Sequence, residues 1–109
     1  MINYLFIESR DPFESRDTRF VLETATALKQ RDNEVTVFLI QNGVFGARNN
    51  SVGAHIAEMA QAGVRLLADD FSLRERGIRQ EELVAAVTES TIDVLVDILI
   101  SDNTKAIWH

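Results

Sequence analysis

The chain has 109 residues, 46% of them apolar, with 17 acidic against 11 basic side chains and a net charge of −6. That length holds one domain, residues 1–109, with a single layered core, and the acidic balance opposes binding to a polyphosphate backbone or an anionic membrane, so neither is expected as a partner. Cysteine is absent, which removes disulfides, thiolate metal sites and cysteine nucleophiles together; with no signal peptide and no run near the roughly 20 apolar residues of a bilayer span, a cytoplasmic protein is expected.

Strands alternate with helices along the chain. Residues 2–8, "INYLFIE", are apolar and rich in aromatic and β-branched types, as a strand buried on both faces should be. After a polar loop containing the only proline, Pro12, a helix is predicted over 16–31, with Val21, Ala25 and Leu28 along one face. "EVTVFLIQ" (34–41) predicts a second buried strand, and "NGVFGARNN" a glycine-bearing loop. Ser51 is placed to cap the next helix, along which Val52, Ile56 and Met59 repeat at helical spacing until Gly63 ends it. "VRLLA" (64–68) is the third strand.

The stretch "ADDFSLRERGI" follows, a short amphipathic segment running to Gly77. "REELVAAVTES" predicts a helical turn and a short strand near 84–88. In "STIDVLVDILISD" the residues Ile92, Leu95, Val96 and Leu99 form a helical stripe opposite Asp93 and Asp97, with Ser90 and Asp93 at capping-box spacing. "KAIWH" predicts a last strand. Strands joined by helices require parallel pairing, and right-handed crossovers put helices on both faces, so a three-layer α/β/α domain is expected.

In such sheets ligands gather at the carboxyl ends of the strands, which directs attention to residues 8–16, 41–50 and 69–72. Arg10, Arg48, Arg74 and Arg76 in or beside these loops suit an anion, with guanidinium forks as donors; the plainer reading is solvated arginines paired with Asp11, Asp69 and Glu75. Asp69 and Asp70 close a strand and suit either the N-terminus of the following helix or a hard cation such as Mg²⁺, joined by Glu8 or Asp11 from the neighbouring strand. Ser72 and Glu75 fit a capping box. Asn42 and Gly43 suit a turn. The candidate ligand-binding set is therefore Arg10, Asp11, Asn42, Gly43, Arg48, Asp69, Asp70, Ser72 and Arg76, with Glu8, Asp69 and Asp70 as the alternative metal set; no catalytic residue and no cofactor is assigned. His55 is read as surface or interface and His109 as incidental. The acidic cluster is similar to that of phosphorelay receiver domains, but Lys105 opens the last strand instead of closing it, which argues against that chemistry.

"FLIQNGVFGAR" at the end of the second strand, the strand followed by "RERGI" over 64–78, and Trp108 in the last strand together resemble the DsrE/DsrF-like proteins, including the YchN-like fold. The resemblance covers nearly the whole chain. It implies a five-stranded, mainly parallel sheet, assembly into trimers or hexamers, and a place near sulfur relay, in which family members carry a persulfide on a cysteine at the turn after the third strand. Here that turn reads Asp69, Asp70, Phe71, Ser72, and neither a carboxylate nor a hydroxyl holds a sulfane sulfur. The family also has cysteine-free members that partner cysteine-bearing paralogues. The expectation is a non-catalytic, self-associating binding or scaffold subunit, with an acid-based metal-dependent or anion-binding enzyme as the alternative. Phe13, Phe45, Phe71 and Trp108, in or next to loops and the final strand, are the expected contributors to a subunit interface.

Overall fold

A computed structural model describes residues 2–15, 17–50 and 54–109. Five strands, β1 (Asn3–Glu8), β2 (Glu34–Leu39), β3 (Arg65–Asp69), β4 (Val87–Ser90) and β5 (Thr104–Trp108), form one sheet of order β4-β3-β2-β1-β5. Every pairing is parallel, so each strand delivers its carboxyl end to the same edge. Among the described residues four α-helices lie in the connections: α1 (Thr18–Gln30), α2 (Ala54–Gln61), α3 (Asp70–Glu75) and α4 (Ile92–Ile100).

Alternation along the strands splits the core in two. Phe6, Val35, Val37, Leu39, Leu66, Ala68 and Val87 point to one face and meet Val21, Leu22 and Ala25 of α1 and Ile56 and Met59 of α2. Leu5, Ile7, Phe38, Ile40 and Leu67 point to the other, where Leu95 of α4 packs with half-buried Val94 and Ile98. Each fully buried side chain contributes about 1.5–3 kcal/mol, so strands apolar on both sides are the main investment of this fold. The three-layer arrangement follows, though one layer is a single nine-residue helix.

Several boundaries differ from the sequence reading for local reasons. β2 stops at Leu39 because Gln41 turns into the left-handed region (φ 50°) and opens a 3-10 helix over Gln41–Ala47, where a loop was expected. Arg16 and the expected cap and stripe residues Ser51 and Val52 lie outside the described residues. Gly63, at φ 97°, ends α2 as anticipated, with the Val64 N–H donating to the Met59 carbonyl at 3.0 Å. β4 begins at Val87 instead of 84, since Val84 N–H is taken by the Ala47 carbonyl at 2.8 Å. α4 is capped by Thr91, whose Oγ1 accepts from Val94 N–H at 3.4 Å, and not by Ser90, which is the last residue of β4.

The expected inward stripe of α4 is also corrected. Of its four members only Leu95 is buried; Ile92, Val96 and Leu99 face outward with Ile100, which is 75% exposed. Seven of the nine helix residues are apolar, so spacing alone does not choose between two apolar faces, and the sheet takes the side carrying Val94, Leu95 and Ile98. Leu95→Ala should therefore cost about 2–5 kcal/mol in urea denaturation; a loss below about 0.5 kcal/mol would mean that α4 is not seated through this residue.

Candidate functional site

At the carboxyl edge the chain leaving β2 crosses over the end of β1. Gly43 makes that crossing possible: a Cβ built there would sit 2.1 Å from the Glu8 carbonyl oxygen, a distance no side chain tolerates. The same carbonyl accepts the Ile40 N–H at 3.0 Å, and the Ile40 carbonyl accepts the Gly43 N–H at 2.8 Å. This crossing sets the position of Gln41, Asn42, Phe45 and Arg48. The strained backbone of Gln41 is held from the neighbouring crossover, because its N–H donates to Ser72 Oγ at 2.8 Å.

Ser72 in turn is tied to Asp69. The Asp69 carboxylate accepts the Ser72 N–H at 3.0 Å and the Ser72 hydroxyl at 2.7 Å, with both residues buried. Asp69 is thus the N-cap of α3 and its side chain makes the cap bond. Ser72 is inside the helix, so the expected Ser72–Glu75 capping box is replaced by a three-residue link, Asp69 to Ser72 to Gln41, joining the ends of β3 and β2.

The arginines separate into two groups. Arg10 reaches Asp17 at 3.8 Å and Arg74 pairs with Asp70 at 3.2 Å, one helical turn away. Arg48 and Arg76 instead converge on Phe45, with guanidinium carbons 4.9 and 5.9 Å from the ring centroid. Arg48 Nε donates to the Phe45 carbonyl at 3.2 Å, while Arg76 donates from Nε to Asn42 Oδ1 at 3.0 Å and from Nη1 to the Ser72 carbonyl at 3.3 Å. The pairings expected with Asp11, Asp69 and Glu75 are not formed: Asp11 caps its own loop by accepting the Phe13 N–H at 2.9 Å, and Asp69 serves Ser72. Beside Arg76 lies an open cleft of about 530 Å³ lined by Ile40, Gln41, Asn42, Asp69, Phe71, Ser72, Glu75, Arg76 and Ile92.

The structure thus brings Asn42, Asp69, Ser72 and Arg76 together on one cleft, with Arg48 adjacent through Phe45. Gly43 acts in the backbone crossing, and Arg10, Asp11 and Asp70 are engaged elsewhere. Glu8, Asp69 and Asp70 do not assemble into the alternative metal set; among the described residues no group of three or more His, Asp and Glu side chains converges on a common point. Asp69 is held by Ser72, Asp70 by Arg74, and Glu8 by a residue the sequence reading set aside.

That residue is His109. Its Nδ1 lies 3.0 and 2.9 Å from Glu8 Oε1 and Oε2, and Oε1 also accepts the Arg10 N–H at 3.0 Å. The backbone continues the sheet beyond β5: His109 N–H donates to the Ile7 carbonyl, and the His109 carbonyl accepts from both Ser9 N–H and Ser9 Oγ. The pair is 101 residues apart in sequence, so nothing local signals it. Only the placement of β5 next to β1, with Trp108 level with Ile7, makes it visible. Burial pushes the Glu8 carboxyl above its ordinary value of 4.5, against the opposing pull of the Arg10 N–H and of His109. Glu8 also lines a small cavity with Arg10, Pro12, Thr18 and His55, about 30 Å³ in volume and so sized for about one water molecule.

An all-parallel α/β sheet with a cleft at its carboxyl edge, against the turn after β3, defines an open-sheet α/β domain. The chain belongs to the DsrE/DsrF-like family, which matches over residues 3–105. The crystal structure of the ychN protein from E. coli is similar in fold, with a TM-score of 0.84 at 19% identity over 98% of this chain and 100% of that one. Protein MTH1491 from Methanobacterium thermoautotrophicum, described as of unknown function, gives 0.80 at 19% identity over 100% of both chains. BT1422 from Bacteroides thetaiotaomicron, a conserved protein of unknown function, gives 0.80 at 18% identity over 98% of this chain and 94% of that one. No functionally curated protein matches.

Two outcomes test this geometry. Gly43→Ala should destabilise the fold by about 1–3 kcal/mol in chemical denaturation, since the β1 end has to move; an unchanged midpoint would show that the crossing is looser than described. For Glu8, a folded-state value raised above 4.5 means that its contribution to stability is complete below that pH and is lost as the pH climbs through the folded-state value. Glu8→Gln should accordingly gain on the parent protein as the pH rises above 4.5, and stability curves that stay parallel would show that the carboxyl ionises as readily folded as unfolded.

Proposed function

We propose that this chain is a non-catalytic, self-associating binding subunit of the DsrE/DsrF-like kind, cytoplasmic and linked to sulfur relay. One observation carries the reading. The turn after β3, where sulfane carriage requires a polarizable thiol, is built from Asp69 and Ser72, both buried and both committed to holding α3 and Gln41. A hydroxyl donating to a capping carboxylate is a structural tie and offers no site for persulfide. The chain retains the family fold while lacking the atom that the relay chemistry uses, which suits a subunit that positions or recognises a cysteine-bearing paralogue.

Self-association is supported by what the sheet leaves uncovered. Ile92, Val96, Leu99 and Ile100 form an outward apolar stripe on α4, and Trp108, 65% exposed, lies level with Ile7 on the sheet face that α4 covers. Phe13 and Phe71 are also exposed, whereas Phe45 is half-buried against the core and is withdrawn from the expected interface set. Apolar surface of this extent on so small a chain favours burial against another subunit. A trimer or hexamer of this chain, alone or mixed with cysteine-bearing paralogues, covers it.

Light scattering of the purified protein should give the mass of a trimer or hexamer, and a double substitution, Val96→Glu with Ile100→Glu, should give a monomer with unchanged helix content. The same preparation, supplied with thiosulfate, should release no sulfane sulfur above the uncatalysed background. A monomeric parent protein would defeat the self-association, and sustained turnover of the donor would defeat the non-catalytic reading.

A further inference from the structure

From the cleft at the carboxyl edge we infer that the protein binds a small organic anion, an oxyanion carried on an apolar body, with Arg76 as its charged anchor and Arg48, which shares the Phe45 ring with Arg76, as a supporting charge. This goes beyond the reading above and holds whether or not the chain associates. In a protein of net charge −6, most basic side chains at this edge have found an acid: Arg10 has Asp17, Arg74 has Asp70, Arg79 has Glu82. Arg48 and Arg76 form no such ion pair. Among the described residues neither has a carboxylate within 4.0 Å. Both are half-buried and lie on the same phenyl ring, so the two charges are no farther apart than the sum of their 4.9 and 5.9 Å distances to its centroid.

The two guanidinium groups are also pre-positioned. Arg48 spends Nε on the Phe45 carbonyl, and Arg76 spends Nε on Asn42 Oδ1 and one Nη1 hydrogen on the Ser72 carbonyl. These bonds restrain the guanidinium groups and leave terminal N–H groups for a carboxylate, sulfonate or phosphate oxygen. Neither guanidinium is held in an ion pair, although Arg48 acts on Glu82 at longer range, and an anion in the cleft completes one for Arg76. The cleft next to Arg76 supplies the rest. Its volume of about 530 Å³ falls in the range of small-molecule sites, and Ile40, Phe71 and Ile92 give it an apolar wall, with Phe71 and Ile92 more than half exposed. Of the acids on its lining, Asp69 is held through Oδ2 by its cap bonds to Ser72, and Glu75 is exposed at the solvent side. A bare inorganic anion would leave the apolar wall unused, and a neutral apolar molecule would leave the arginines unanswered.

The test is titration with 1-naphthalenesulfonate, read by calorimetry and by amide shifts of the parent protein, against two comparison probes: neutral 1-naphthalenesulfonamide and inorganic sulfate. Saturable one-to-one binding is expected, with shifts at Ile40 and Asn42, and with both comparison probes at least about tenfold weaker. Arg76→Gln should weaken the sulfonate about tenfold and Arg48→Gln about threefold, while Arg74→Gln, whose partner is Asp70, should bind as the parent does. Equal binding of the sulfonamide, equal binding by Arg76→Gln, or shifts confined to Leu99 and Ile100 on the outer stripe of α4 would overturn the proposal. So would an absence of saturation, which would leave the arginines to an acidic surface of another protein. The shift map is recorded on the parent protein and therefore decides the matter even if a variant fails to fold.

Discussion

The close passage of Gly43 over the Glu8 carbonyl is the constraint on which the carboxyl edge of this molecule is built. Because no side chain intervenes, the chain leaving β2 folds down onto the end of β1 and closes into a 3-10 helix. Asn42, Phe45 and Arg48 are then held over the edge of the sheet at fixed positions. The strain this places on Gln41 is met from the next crossover by Ser72, which Asp69 holds in turn. Three strand ends are thereby linked through backbone contacts and one buried serine. The cleft beside Arg76 is a consequence of that linkage, because α3 and the 3-10 helix form its two sides.

The same bonds give the turn after β3 a structural task. Both Ser72 bonds fall on Asp69 Oδ2, so that oxygen cannot be engaged without unfastening α3, and the Ser72 hydroxyl donates to it while accepting from Gln41. A thiol in such a place would be reactive because it is polarizable and ionises readily, whereas a capped hydroxyl is neither. Family membership and the absence of cysteine are therefore compatible in physical terms. The fold needs an N-cap and a tie at this position, and an aspartate with a serine provides both.

The two faces of the sheet are covered unequally. One carries α1 and α2, and the other carries α4 alone, so the apolar residues that α4 turns away from the sheet, together with Trp108, have no partner within the described residues. Such a helix reads as buried on every side when only its composition is considered. In the sequence its stripe was assigned to Ile92, Leu95, Val96 and Leu99; the sheet took Val94, Leu95 and Ile98. With apolar residues around most of the helix circumference, spacing constrained the orientation weakly, and the fit of Leu95 between Leu5, Phe38 and Leu67 settled it.

Periodicity and composition determined a good deal: strands apolar on both faces, helices between them, parallel pairing, the close of α2 at Gly63 and the absence of any thiol. These are consequences of residue type at short range, where burial and backbone preference act directly on neighbouring positions. Site assembly was only half legible, since Asn42, Asp69, Ser72 and Arg76 could be assigned to the carboxyl edge but not to one cleft. Only tertiary structure decided that Arg48 and Arg76 share Phe45, that Asp69 and not Ser72 caps α3, and that His109 meets Glu8. Each of those depends on strand order and crossover path, which bring together groups up to 101 residues apart, and no local pattern of residues encodes which strand will lie beside which.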